Sequence, residues 1–198
     1  MINKKTIELY KTLTPKQLNK VFIDSCENGY LEVVKYLLTS PELKEHADIH
    51  ANNDSGFRLA CEKGHLEIVK YLLTSADLIQ HANIHANNDY GFRSACANGD
   101  LEIVKYLLTG TDLKEHADIH ADNDYGFRWA CENGQLEIVK FLILDMSIEK
   151  TKYIKHYLKE NQDNKCVKEA IELFKISQLN TKLNANLEHK EKKNKLKV

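Results

Sequence analysis

Three short segments place two histidines four residues apart: HADIH at 46–50, HANIH at 81–85 and HADIH at 116–120. On a helix, histidines at i and i+4 share a face and can hold zinc. In an extended segment residues four apart do not converge, and the same histidines become hydrogen-bonding punctuation. The second set with chemistry is the cysteines, Cys26, Cys61, Cys96, Cys131 and Cys166, each 35 residues after the last. A catalytic cysteine needs a partnering base in one place only, and no such place stands out.

No other catalytic signature is present: there is no phosphate-cradling glycine loop, no G-x-S-x-G and no zinc-spaced cysteine pair. Glu32, Glu67, Glu102 and Glu137 recur at the same period, so they read as helix-start residues rather than acid–base pairs. No enzyme and no cofactor are expected. The 198 residues carry 28 basic and 29 acidic side chains. That balance argues against nucleic acid or a membrane surface as partner. No run reaches the roughly 18 apolar residues of a membrane helix. The opening MINKKTIELYKTLTPKQ has no apolar leader core, so the expected setting is intracellular and cytoplasmic.

The elements that position these residues follow from the repeat. Aligned on cysteine, the chain reads CENGYLEVVKYLLTS, CEKGHLEIVKYLLTS, CANGDLEIVKYLLTG and CENGQLEIVKFLILD, then a worn fifth copy, CVKEAIELFKIS. Atypical end units are what a stacked array needs. DSGFRLACEKG (54–64) reads as a short helix stopped by Gly64, and HLEIVKYLLT (65–74) as a second, with Leu66, Val69, Leu72 and Leu73 on one face. Ser40 and Pro41 read as the start of an extra helical turn. ADIHANND reads as a brief extended excursion ending in turn-forming Asn and Asp. One such unit is too small to fold alone, below roughly 40 residues, so its apolar faces must be covered by neighbours.

ACEKGHLEIVKYLL and ADIHA, in register over three units, resemble the ankyrin-repeat pattern G-x-T-P-L-H-x-A-A-x-x-G-H-L-E-I-V-K-x-L-L followed by G-A-D-V-N-A. The resemblance covers about residues 20–160. It implies an all-α solenoid of helix-turn-helix units with short hairpin-like loops: about four full repeats and a degenerate C-terminal cap. Two departures stand out. The family's T-P-L-H reads SGFR or YGFR here, with Tyr90 and Tyr125 in the threonine's place, and the unit is 35 residues, lengthened after the second helix and shortened at the hairpin. The motif is also similar to repeats in giant amoebal viruses and amoeba-associated microbes.

The expected layout is a capping helix at 1–19, repeats at 20–54, 55–89, 90–124 and 125–159, a capping repeat at 160–179 and a lysine-rich tail at 180–198, which also allows nuclear import. The resemblance gives His50, His85 and His120 the place of a hairpin asparagine able to bond along the stack, and His46, His81 and His116 that of the glycine ending the outer helix. Neighbouring helices pack roughly 8–10 Å apart, too far for stacked imidazoles to share an ion at about 2 Å. The cysteines take the second alanine of the family's A-A pair. Stacking near about 10 Å exceeds the Cα separation of about 4.4–6.8 Å that a disulfide needs, so small, buried, reduced thiols are expected.

The family implies protein binding along the inner-helix face and hairpin tips. Positions that vary between units of this one chain mark the candidates: Leu59, Ser94 and Trp129 before the Ala-Cys pair, Glu62, Lys63, Asn98, Glu132 and Asn133 after it, and the tips Asn52, Asn87 and Asp122. The expected function is a monomeric, non-catalytic scaffold or adaptor for one partner protein, a host protein if the viral likeness holds. Two alternatives stay open: a structural or oligomer-forming repeat protein, and metal or redox sensing by the His and Cys rows.

Overall fold

The computed structural model describes residues 2–148 and 150–195, with side chains through Leu187. The chain divides into two compact units, Met1–Gly126 and Phe127–Val198. Of the tail expected at 180–198, residues 196–198 and the side chains beyond Leu187 lie outside the described residues.

In the first unit each long apolar stretch becomes a pair of antiparallel helices joined at a glycine. After α1 (Lys4–Tyr10), the inner helices are α2 (Pro15–Glu27), α4 (Ala51–Glu62) and α6 (Ala86–Asn98), and the outer ones α3 (Leu31–Thr39), α5 (Leu66–Thr74) and α7 (Leu101–Thr109). Inner helix packs on inner helix, and each carries its outer partner. Gly29, Gly64 and Gly99 sit at φ of 75, 78 and 88°, the left-handed region that ends a helix cheaply only for glycine. Helix α2 starts at Pro15, with the Thr14 N–H donating to Gln17 Oε1 at 2.9 Å. Residues 15–19, expected in the cap, therefore belong to the first repeat's inner helix.

The core is a column of the same two residues in each repeat, a phenylalanine and a cysteine. Phe22, Phe57 and Phe92 are fully buried, as are Cys26, Cys61 and Cys96. The Gly of each GFR motif lies over the preceding repeat's column: a Cβ on Gly56 would stand 2.7 Å from Phe22 Cε1 and 3.0 Å from Cys26 Sγ. Glycine here is a spacer that lets inner helices close on each other. On the outer helix, Val69 and Leu72 of the expected face are buried with Ile68 and Tyr71 beside them, while Leu66 and Leu73 are only half-buried.

Two loop expectations are corrected. Pro41 starts no helix; Leu43 N–H bonds Ser40 O at 3.1 Å and closes a single turn. The extended excursion and hairpin-like return contain no paired strand among the described residues. Asn52, Asn53 and Asp54 instead form a left-handed turn, φ 53, 58 and 54°, repeated at Asn87–Asp89 and Asp122–Asp124.

Helix α8 (Ala121–Glu132) opens in the first unit and continues into the second. The second unit then holds α9 (Leu136–Lys140), a π-helical turn (Phe141–Asp145), α10 (Lys152–Glu160) and α11 (Lys165–Lys195). The fifth copy does not fold as a helix-turn-helix. Where Gly64, Gly99 and Gly134 end their helices, the corresponding residue is Glu169, a good helix former, and α11 runs straight through it. Its first half buries Val167, Ala170 and Phe174, with the Phe174 ring 5.8 Å from that of Phe127.

Gly56→Ala is expected to cost about 1–3 kcal/mol through overpacking, read by urea unfolding. Because Phe22 is the clashing group, Phe22→Leu should cost less in that background than alone; strictly additive losses would show that the two do not share this space.

Candidate functional site

The histidine pairs are each held by different partners. His46 Nε2 lies 2.9 Å from Ser40 O, His81 Nε2 3.0 Å from Ser75 O, and His116 Nε2 3.0 Å from Gly110 O. Only an N–H can satisfy a carbonyl oxygen, so each ring donates and ties its loop to the end of the outer helix. The second histidine of each pair turns to a carboxylate. His50 Nδ1 is 2.9 Å from Asp54 Oδ1, His85 Nδ1 2.9 Å from Asp89 Oδ1, and His120 Nδ1 2.5 Å from Asp124 Oδ1. Among the described residues no group of three or more His, Cys, Asp or Glu could hold a metal.

The bond along the stack, expected from His50 and its equivalents, is made by the aspartate. Asp54 Oδ1 also accepts the Asn83 N–H of the next repeat at 2.9 Å, and Asp89 Oδ1 the Asp118 N–H at 2.9 Å. In the first repeat Asn19 holds the same place and accepts from Asp48 N–H at 2.8 Å. Asp54, Asp89 and Asp124 are buried. The histidines are punctuation, and their stop is this buried carboxylate.

The turn tips rest on arginine. Arg58 Nε donates to Asn53 O at 2.9 Å and Nη2 to Asn52 O at 3.1 Å. Arg93 repeats this on Asn88 O and Asn87 O at 2.8 and 3.0 Å, and its Nη1 meets Asp122 Oδ2 at 2.6 Å. Its guanidinium lies 5.7 Å from the centroids of both Tyr90 and Tyr125. Arg58 and Arg93, standing where the resembled pattern has histidine, thus hold the left-handed turns at Asn52–Asp54 and Asn87–Asp89. Asn52, Asn87 and Asp122 are exposed at these tips.

The candidate binding residues separate into accessible and engaged ones. In the first unit Lys63 and Asn98 are exposed and Leu59 is half-buried. Glu62 is half-buried and accepts the Tyr90 hydroxyl at 2.9 Å. Ser94 is corrected: it is buried, its hydroxyl folding back on Gly91 O at 3.1 Å, because so short a side chain reaches only its own helix. In the second unit Trp129 is half-buried and Glu132 and Asn133 are exposed, with Asn133 Nδ2 donating to Trp129 O at 3.0 Å. Sequence reasoning missed Ile79, which is 101% exposed. The signal was available, since the same place carries Lys44 and Lys114 in the flanking units.

Variation also serves the stack. His65 Nε2 donates to Glu27 O of the preceding repeat at 2.9 Å. At the next equivalent place Asp100 caps no N–H with its side chain, and burial raises its pKa, opposed by the charge of His65. Burial likewise pushes the Cys26, Cys61 and Cys96 thiols well above their usual range. The row continues in the second unit, where Cys131 and Cys166 are buried and free.

The family model described as ankyrin repeats (3 copies) matches residues 22–120, 57–154 and 92–192. That family generally serves protein–protein interaction and is typically non-catalytic. Among curated proteins none matches the chain. No helix among the described residues is long and apolar enough to cross a membrane.

Asp89→Asn should keep the acceptor, as Asn19 does in the first repeat, and also the tolerance of positive φ. Asp89→Ala orphans the His85 ring and the Asp118 N–H and should cost at least about 2 kcal/mol more in urea unfolding; equal losses would remove the ladder from the stability of the stack. Asp100 carries the opposite sign. A raised native pKa means that wild-type stability falls as pH rises through it. Asp100→Asn should therefore melt higher than wild type at pH 7, the gap closing as pH drops through the carboxylate range.

Proposed function

The chain belongs to the ankyrin-repeat family, and from that premise we propose that it is a non-catalytic binding module that receives a partner protein on its inner-helix face and turn tips, the concave side in this family. The observation that carries this reading is where the units differ. Core, ladder and arginine clamp recur nearly unchanged, while Leu59, Lys63 and Asn98 of the first unit, and Trp129, Glu132 and Asn133 of the second, change the chemistry of one helix face. These side chains leave helices already locked by buried contacts, so little ordering remains to oppose association. Trp129 adds an aromatic anchor of the kind that dominates interface energetics. Five buried free thiols fit an intracellular setting.

The test is capture from a lysate of the native cell, comparing wild type with Trp129→Ala/Glu132→Ala/Asn133→Ala and Leu59→Ala/Lys63→Ala/Asn98→Ala. Circular dichroism first establishes that each variant is folded. We expect one protein to be retained by wild type and lost from at least one variant, at a cost of about 2 kcal/mol or more for the Trp129 set. Equal recovery by all three would move binding off this face and favour a structural role.

A further inference from the structure

The side chains that follow the stops at Gly64 and Gly99 each lie over the glycine stop of the repeat before. A Cβ on Gly29 would stand 2.7 Å from His65 Cε1, and one on Gly64 2.8 Å from Asp100 Oδ1. The His65 ring donates from Nε2 to Glu27 O at 2.9 Å, and the Asn98 amide donates to Glu62 O at 2.8 Å. Each of these carbonyls stands two residues before its glycine, at a helix end whose acceptors lack partners within the helix. In steps of 35 residues the covering series runs Tyr30, His65, Asp100, Gln135 and Ala170. Its last member is too short to cover anything, and its methyl is buried in the body of α11.

Gly134 in the second unit is therefore different. It keeps the left-handed φ, 72°, yet among the described residues no atom lies within 4 Å of the place its Cβ would take. The space belongs to a cavity of about 400 Å³, bounded by Glu132, Asn133 and Leu136 on one side and by Asn164, Lys165 and Glu169 at the start of α11 on the other. The α11 wall is pinned, since Asn164 Oδ1 accepts the N–H groups of Cys166 and Val167 at 2.8 and 3.2 Å. Glu132, Asn133 and Gly134 are exposed, so the cavity opens to solvent. We propose that it receives a histidine side chain of the partner protein. The inference rests on the binding-module reading only for the source of that side chain. The choice of imidazole follows from shape, acceptor and charge. The equivalent stop at Gly29 already takes an imidazole ring, because glycine lets a flat group lie close to the backbone. Glu132 O stands two residues before Gly134, the position from which Glu27 O accepts His65. Two carboxylates, Glu132 and Glu169, line the cavity against one ammonium, Lys165. That balance opposes a carboxylate of the kind that covers Gly64 and favours a group able to carry positive charge.

The experiment follows the backbone amide signals of the folded, full-length protein by NMR at fixed neutral pH while imidazole is added, with acetate as the second probe. We expect the Gly134 signal to move along a saturating, millimolar curve and several-fold further than those of Gly29 and Gly64, which are already covered. Acetate should leave it in place. Gly134→Asn tolerates the positive φ and puts its own side chain into the cavity, so it should fold and lose the response to imidazole. In the lysate capture the same variant should recover less of the partner than wild type. A wild-type Gly134 signal that moves no further than Gly29 and Gly64, or that moves equally with acetate, overturns the proposal whatever the variant does. Equal partner recovery by wild type and a folded Gly134→Asn overturns it as well. The titration needs no partner, so its failure is distinct from a failure of the binding-module reading, which shows only in the capture.

Discussion

One carboxylate oxygen of Asp54 takes a hydrogen bond from His50 in its own repeat and another from the Asn83 N–H in the next. Asp89 does the same with His85 and Asp118. A buried carboxylate without such donors is strongly unfavourable, so each repeat must place its loop N–H where the preceding aspartate waits. That requirement sets the register of the stack and the course of the loop. It brings the aspartate inward through a left-handed turn that asparagine and aspartate tolerate better than most side chains. At this turn the carbonyls of Asn52 and Asn53 accept from the Arg58 guanidinium.

Much of this could be read from residues. Period, helix pairs, glycine stops, the buried cysteine row and the histidines as punctuation all follow from patterns whose physics is local. The left-handed turn does not, because Asn-Asn-Asp signals only some turn. The arginine was visible only as a departure from T-P-L-H; its partners are backbone carbonyls that exist once the turn has formed. The fate of the fifth copy was legible in Glu169 standing where glycine was needed.

Of the positions that differ between units, some reach back to the preceding repeat, as His65 does to Glu27 O, and one folds onto its own helix, as Ser94 does. Difference alone therefore does not separate recognition from support. Exposure on the inner-helix face, together with a side chain not spent on a neighbouring repeat, is the stricter criterion. Lys63 and Asn98 pass the first part, although each is partly engaged through Glu62.

The ladder bonds join residues only 29 apart in sequence. Nothing in that pattern staples a repeat to a distant one, so tension on the first unit loads the links in series, like the coils of a zip. Each coil that lets go hands the chain about 35 residues of slack, roughly 120 Å when drawn straight. Such a chain lengthens in near-equal steps and can rewind in the same increments.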